Sequence, residues 1–245
     1  MRLAVTGATG RVGGFIVAEA QAAGDEVVAF TRRGAPGLPH RPYDLAGPAP
    51  DLSGFDALIH CGFAHVPGRY RGGEGDDPAG FEARNLGGSL RLFAAAQDAG
   101  ARVIFISSRA VYDGLEGPLS ERAACAPTSL YGQLKLAAER ALRDDAMILR
   151  ATGVYGAGAA HKWRGLFDDF AAGRAIEPRA GTELHGADLA AAVRLGLEGA
   201  QGCYNVSDLM LDRRDLLSLW AEITGQRGHL PDRATALPAE MDCTR

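Results

Sequence analysis

The sequence predicts an α/β protein with a Rossmann-type, doubly wound parallel sheet and a small, less regular C-terminal substrate lobe. Short apolar runs alternate with longer segments of helical periodicity, which is the pattern of a parallel sheet covered by helices. A glycine-rich turn follows the first apolar run directly. Beyond residue 152 the runs are shorter and more loosely spaced. We therefore expect a nucleotide-binding domain over residues 1–151 and a lobe over residues 152–245, interleaved as one compact unit.

Each predicted element follows from its local pattern. Apolar and β-branched runs predict strands at residues 3–6, 26–31, 57–61, 103–107, 147–150, 183–185 and 203–206, with a further short strand near Tyr43. Apolar residues at helical spacing predict helices at residues 12–23, 81–99, 128–142, 163–172, 188–197 and 213–224. Residues 34–50 and 67–80 are rich in glycine, proline or polar residues and are expected to form loops.

Composition narrows the classes of function. The net charge of −4 provides no broad basic surface for nucleic acid, and no apolar run reaches the roughly 20 residues that span a bilayer. The apolar stretch at residues 3–5 is too short for a signal peptide. Four scattered cysteines form no metal or disulfide pattern, and the histidines lack ligand spacing. We expect a cytoplasmic protein with a small-molecule substrate and no bound metal, nucleic acid or membrane.

The turn after the first strand is typical of a dinucleotide site. Its glycines follow the spacing G-x-x-G-x-x-G between a strand and a helix. Gly7 permits the tight turn, Gly10 lets backbone amides approach a pyrophosphate, and Gly13 allows the helix to pack closely. Free N–H groups and the dipole of the helix favour negative charge there. The expected contacts are Gly7, Thr9, Gly10, Arg11, Val12 and Gly13.

The end of the second strand indicates which dinucleotide binds. An NAD site usually has an acidic residue there to bind the ribose hydroxyls, but the sequence has Arg32 and Arg33. Arginine is suited to a 2′-phosphate. We predict that NADP is preferred and that NAD is possible; the alternative is that these arginines are solvated surface residues.

Three residues predict the chemistry. Ser108 ends the most strongly β-forming run, and Tyr131 and Lys135 stand four residues apart on the following helix, hence on one face. A nearby ammonium and a bound nicotinamide favour a tyrosine phenolate, which is a general acid/base at neutral pH. Ser108 would hydrogen-bond the substrate oxygen that gains or loses a proton.

On these motifs the chain resembles the extended short-chain dehydrogenase/reductase family, also called the NAD-dependent epimerase/dehydratase family. The resemblance implies that Ser108, Tyr131 and Lys135 form a catalytic triad and that Lys135 also holds the nicotinamide ribose. It further implies a cofactor-lining set and, in many members, a homodimer through a four-helix bundle; Leu92, Phe93, Leu136 and Leu142 could supply that face or belong to the core. The implied lining residues are Asp44 and Leu45 near the adenine, Cys61, Gly62 and Phe63 after a strand, and Asn85 in support.

Departures from the family pattern narrow the reaction. Sugar dehydratases of the family carry Asp-Glu where this chain has Arg109 and Ala110, so water elimination is not expected. Gly181 falls near the place of a phosphate-binding arginine in nucleotide-sugar enzymes, and the lobe is short. Both features favour a smaller substrate, such as a free sugar, a uronic acid or another carbonyl compound. Candidate substrate residues are Arg109, His161, Trp163 and His185, although each has a plausible structural role as well.

Three functions remain open. The first is an NADP-dependent oxidoreductase acting on a small sugar-like alcohol or carbonyl compound. The second is an epimerase that oxidises and re-reduces its substrate on a tightly held cofactor. The third is a redox-sensing protein that binds NADP(H) without turnover, which the retained Tyr131 and Lys135 disfavour.

Overall fold

The computed structural model describes residues 1–66, 69, 72–157 and 161–244. Ten strands lie in two sheets: β1 Arg2–Thr6, β2 Glu26–Thr31, β3 His40–Pro42, β4 Ala57–His60, β5 Arg102–Ser108, β6 Met147–Ala151, β7 Gly153–Tyr155, β8 Ala180–His185, β9 Gly202–Val206 and β10 Leu209–Asp212. The helices are α1 Arg11–Ala22, α2 Pro78–Glu82, α3 Gly88–Asp98, α4 Leu130–Arg140, α5 Arg164–Ala171, α6 Gly186–Leu197 and α7 Arg213–Thr224.

The main sheet has seven strands in the order β3-β2-β1-β4-β5-β6-β9, and every pairing in it is parallel. Helices α1 and α6 cover one face through a buried aliphatic cluster, and α3 and α4 cover the other. Helices on both faces of a parallel sheet make the doubly wound Rossmann-type arrangement. The predicted fold class is therefore confirmed.

Residues 152–245 contribute to both sheets. Strands β7, β8 and β10 form a second, three-stranded sheet, whereas β9 completes the main sheet beside β6 and α6 packs beneath it. The main sheet thus uses chain from both sides of residue 151, and the division at that residue stays a prediction.

The structure corrects several predicted boundaries. The helix expected over residues 81–99 begins earlier, because Asp77 caps it and Pro78 opens it inside the predicted loop. It is then interrupted by a π-helical turn at Ala83–Gly87 before α3. Strands β7 and β10 and the 3₁₀ turn Arg109–Tyr112 were not predicted, since segments of three or four residues show no clear periodicity. Within the predicted loop 67–80, residues 67, 68, 70 and 71 lie outside the described residues.

The apolar residues considered for a dimer face pack within their own chain. Leu92 and Phe93 lie in the core between the main sheet and α3, and Leu136 is buried in a cluster with Tyr112 and Met241. Leu142 is half-buried against the same core as Leu92. Homodimerisation stays a prediction. In the part of the chain that the structure describes, no helix is both long and apolar enough to cross a membrane.

A buried chain of hydrogen bonds joins the glycine turn to the π-helical turn. The Gly62 N–H donates to Thr6 Oγ1 at 3.1 Å, and Thr6 Oγ1 lies 2.7 Å from His60 Nδ1. Nε2–H of His60 then donates to Ser89 Oγ at 2.9 Å, and Ser89 donates to Asn85 O at 2.6 Å. Because Ser89 uses its proton on Asn85 O, Nε2 of His60 carries the proton that Ser89 accepts, and Nδ1 of a neutral ring then accepts from the Thr6 hydroxyl. Burial agrees with it, because desolvation lowers the pKa of His60 to about 3.

We predict that His60 makes stability fall in mild acid. The unfolded chain binds a proton at this imidazole below about pH 6.5, whereas the folded chain does not until about pH 3. The free energy of unfolding should therefore drop by up to about 1.4 kcal/mol per pH unit below pH 6.5. Urea unfolding at several pH values measures this slope, which His60→Gln should reduce and the exposed-site control His40→Gln should not. Equal slopes in the wild type and His60→Gln would contradict the prediction.

Candidate active site

The predicted nucleotide and catalytic residues gather at one edge of the main sheet. In a parallel sheet the carboxyl ends of all strands meet at the same edge, and ligands bind there. The glycine turn follows β1, Cys61 to Phe63 follow β4, and Ser108 is the last residue of β5. The order β1-β4-β5 makes these three ends neighbours.

The glycine turn is closely packed and ends in an open helix terminus. Gly7 has a φ of +66°, and a Cβ there would lie 2.9 Å from Gly62 N. A Cβ at Gly13 would overlap the carbonyl oxygen of Gly7, so α1 can approach β1 only with glycine at this position. Among the described residues no side chain caps α1 at Gly10. This 12-residue helix therefore directs backbone N–H groups outwards, which fits the pyrophosphate of a dinucleotide.

The other predicted cofactor residues lie in the turn itself or follow β2 and β3. Thr9, Arg32 and Arg33 are exposed, and neither Arg32 nor Arg33 forms an ion pair within the described ranges. Asp44 is exposed as well, and its carboxylate accepts from Ala46 N at 2.9 Å. These positions leave two guanidinium groups available at the end of β2, where a 2′-phosphate is expected.

Two of the implied supporting residues are buried. Leu45 packs on Gly88 at the start of α3, where a Cβ would meet its side chain. Asn85 accepts from Ala64 N at 2.7 Å and donates to Ala64 O at 2.9 Å. Asn85 thereby fixes the backbone that follows Phe63, beyond the carboxyl end of β4.

Ser108, Tyr131 and Lys135 lie on packed, neighbouring elements. Ser129 caps α4, accepting from Gly132 N at 3.2 Å, so Tyr131 is in the first turn and Lys135 in the next. A Cβ at Gly132 would overlap the carbonyl oxygen of Ala110, which brings this first turn against the residues after Ser108. Ser108 Oγ accepts from Ala110 N at 3.1 Å, which leaves the hydroxyl proton of Ser108 to donate elsewhere.

Lys135 is a buried cation next to aromatic rings. Its ammonium donates to Ile106 O at 2.8 Å and lies 5.0 Å from the ring centre of Phe63 and 4.6 Å from that of Phe105. The ring of Phe63 also meets that of Tyr131 edge-on at 4.9 Å. Desolvation lowers the pKa of Lys135 to about 8, against the opposing effect of neighbours that include Glu139. The same burial raises the pKa of the Cys61 thiol to about 12.

Sequence reasoning missed a buried ionic network behind Lys135. Glu139, one turn further along α4, receives Arg150 Nη2 at 2.7 Å and Nε at 3.1 Å, and it accepts from Ser107 Oγ. Arg150 also donates to Tyr112 OH at 2.8 Å. Two signals were available: a glutamate four residues after Lys135, and an arginine inside the apolar strand β6.

Three of the four substrate candidates lie together in the lobe. Trp163 stacks on Tyr155 with ring centres 5.0 Å apart, and His185 meets Tyr155 edge-on at 5.2 Å. His185 also caps α6 by accepting from a backbone N–H. The ring of His161 lies 5.6 Å from that of Phe167.

Arg109 has a different environment, since its Nη2 donates to Ala239 O at 2.7 Å in the C-terminal segment. The substrate roles stay predictions. Within the described ranges, no three His, Cys, Asp or Glu side chains gather as metal ligands would.

Comparison with known proteins agrees with the family resemblance that the motifs predict. Residues 3–206 match the model of the NAD dependent epimerase/dehydratase family. dTDP-4-dehydrorhamnose reductase of Mycobacterium tuberculosis is 28% identical over 208 residues, which are 78% of this chain. The chain spans only 64% of the length of that relative. Methionine adenosyltransferase 2 subunit beta of Rattus norvegicus is 32% identical over 102 residues, covering 40% of this chain and 29% of that protein.

Among solved structures, MoeE5 in complex with UDP-glucuronic acid and NAD has a TM-score of 0.78 and 27% identity, covering 99% of this chain and 89% of that one. The matched range includes the glycine turn, the residues after β4 and the Ser108, Tyr131 and Lys135 set. The resemblance predicted from the motifs is therefore confirmed: the chain belongs to the NAD dependent epimerase/dehydratase family.

Proposed function

We propose that this protein is an NAD(P)-dependent oxidoreductase that transfers hydride to or from a small sugar-like carbonyl or alcohol. The observation that carries the proposal is the buried ammonium of Lys135, one turn from Tyr131 and in contact with Phe63 after β4. Burying a cation costs hydration free energy, so a buried ammonium is expected where its charge has a function or is well compensated. Here it lies at the sheet edge to which the nucleotide turn and Ser108 also belong.

The proposed roles follow from these positions. The dinucleotide would supply or accept the hydride. In reduction, Tyr131 donates its phenolic proton to the carbonyl oxygen of the substrate; in oxidation, it accepts that proton as a phenolate. Ser108 donates a hydrogen bond to the same oxygen, since the bond that it accepts from Ala110 N leaves its hydroxyl proton for this role. The ammonium of Lys135 stabilises the phenolate and has donors left, beyond the one bound to Ile106 O, for the nicotinamide ribose.

The substrate class rests on the relatives and the lobe. Two of the named proteins have sugar nucleotides in their descriptions, which favours a sugar-like substrate: one is dTDP-4-dehydrorhamnose reductase, and the other is MoeE5 in complex with UDP-glucuronic acid. Arg109 and Ala110 follow Ser108 in place of the acidic pair of dehydratases, which disfavours water elimination. An epimerase with retained cofactor is the second candidate, since the same triad would serve it and the family description includes epimerases. Cofactor that survives purification, with no net change in nicotinamide, would favour the epimerase.

We predict that Tyr131→Phe abolishes turnover without abolishing cofactor binding. Loss of the proton donor should lower kcat by at least about 10²-fold, while the dissociation constant for the dinucleotide changes little. The measurement is nicotinamide absorbance with aldoses, uronic acids and small ketones, alongside a fluorescence titration of NADPH. Tyr204→Phe, on β9, is the matched control and should behave as the wild type. Full turnover by Tyr131→Phe would refute the proposed role of this residue.

We also predict that NADPH binds more tightly than NADH. The expected cause is pairing of Arg32 and Arg33 with the 2′-phosphate, so the double variant Arg32→Ala/Arg33→Ala should lose about tenfold or more in affinity for NADPH. Its affinity for NADH should stay within about twofold, since that ligand has no 2′-phosphate. The exposed-site control Arg227→Ala should alter neither value. Tighter binding of NADH by the wild type would count against the prediction.

A further inference from the structure

A second cation lies in the lobe, at Lys162. Its ammonium forms an ion pair with Glu183 of β8, whose side chain is 10% exposed, whereas that of Lys162 is 26% exposed. Glu183 is held between buried neighbours in β8, and of the two paired side chains that of Lys162 is the more exposed. An ion pair of this kind contributes little net stability, because desolvation offsets the attraction. A stabilising role therefore does not account for it.

Gly153 leaves the space that the ammonium of Lys162 occupies. A Cβ at Gly153 would overlap Lys162 Nζ and lie 2.9 Å from Glu183 Oε2, so any other residue would displace the pair. Gly153 follows Ala151 by two residues, which is at most about 7 Å of chain. Ala151 is the register partner of Ser108 in the main sheet. The ammonium is thus held near the edge where Ser108 ends β5.

Helix α1 brings a further cation towards the pair. Phe15 fills the space that a Cβ would take at Gly156 and at Gly186, and its ring lies 5.7 Å from that of His185. Arg11 stands four residues before Phe15 on α1 and therefore on the same face, towards the lobe.

Three cations act on Glu183, and a second carboxylate lies at the neighbouring Tyr155. Burial raises the pKa of Glu183, whereas Lys162, Arg179 and Arg11 lower it. Asp208 accepts from the hydroxyl of Tyr155 at 3.1 Å. The cations that act on Glu183 would attract an anionic ligand to Lys162.

The sequence uses lysine at only two positions. Lys135 and Lys162 are the two lysines among 26 lysine and arginine residues, so the other cations are arginines. An ammonium is a compact charge whose donors rotate, whereas a guanidinium is a planar fork. Both ammonium groups belong to the region around the proposed cleft. Beside Lys162, the ring of Trp163 stacks on that of Tyr155, and both side chains are half-buried.

We propose that Lys162, held over Gly153 by Glu183, binds an anionic group on a sugar substrate, either a carboxylate or a phosphoryl group. This inference rests on the proposed function for the nature of the ligand, but binding can be measured without turnover. Lys162 would act as a specificity-determining residue: it orients the charged end of the sugar at the lobe while Ser108 and Tyr131 address the reacting carbon. Neutral sugars lack the group that it binds.

The test uses the two lysines as probes. Protein labelled with carbon-13 at the lysine ε-carbon should show two resonances, assigned with Lys162→Arg, and is titrated with glucuronate, glucose 6-phosphate, glucose and inorganic phosphate in the presence of NADP. We expect a saturable shift of the Lys162 resonance with glucuronate or glucose 6-phosphate, and the responding sugar identifies the anionic group. Glucose should leave that resonance unmoved.

Variants separate binding from structure. Glu183→Gln keeps a hydrogen-bond acceptor but removes the competing charge, so it should bind the responding sugar about threefold to tenfold more tightly. The exposed-site control Glu198→Gln should bind it as the wild type does. An unmoved Lys162 resonance with both anionic sugars would overturn the proposal, as would an equal response to glucose or to inorganic phosphate alone. A shift in a protein that shows no hydride transfer would leave this site standing and refute the proposed oxidoreductase instead.

Discussion

The burial of the Lys135 ammonium is the constraint on which the candidate site depends. Burying a cation costs free energy unless hydrogen bonds and nearby negative potential compensate the lost hydration. Here Ile106 O accepts a hydrogen bond from the ammonium, and the rings of Phe63 and Phe105 add cation–π attraction. These partners come from β5 and from the segment after β4, so they hold α4 at the carboxyl edge of the sheet. Tyr131, one turn earlier on α4, is thereby directed to the edge where Ser108 ends its strand.

The ionic network behind Lys135 extends this constraint across the molecule. Glu139 joins α4 to Arg150 of β6, and Arg150 reaches Tyr112 in the turn after Ser108. The hydroxyl of Tyr112 donates to Asn205 Oδ1 of β9 at 2.7 Å, and the amide of Asn205 donates to Asp242 O in the C-terminal segment at 2.9 Å. Because the buried polar groups of this network satisfy one another, removing one would leave its partners unsatisfied. The elements of the candidate site are therefore joined to β6, β9 and the C-terminal segment.

The parts of the fold and of the candidate site that the sequence predicts correctly are those with a local sequence pattern. The glycine turn and the long apolar strands carry strong periodic or steric signals, so the fold class and the gathering of Ser108, Tyr131 and Lys135 at one edge followed from the sequence. Contacts between distant segments carry no such signal. Nothing local indicates that Glu183 meets Lys162 or that β9 rejoins the main sheet, because both depend on how the chain after residue 152 folds back. The short strands β7 and β10 were missed because segments of three or four residues show no clear periodicity.

The central claim is that the site is built around a desolvated ammonium, and the ionisation of Lys135 tests it most directly. With two lysines in the chain, a lysine-specific carbon-13 spectrum recorded against pH follows each ammonium, and Lys162→Arg identifies the resonance of Lys135. The account predicts that the pKa of Lys135 lies near 8, because burial disfavours its charged form. Titration near 10.5, as for a solvated lysine, would contradict the buried environment from which the proposed chemistry is derived.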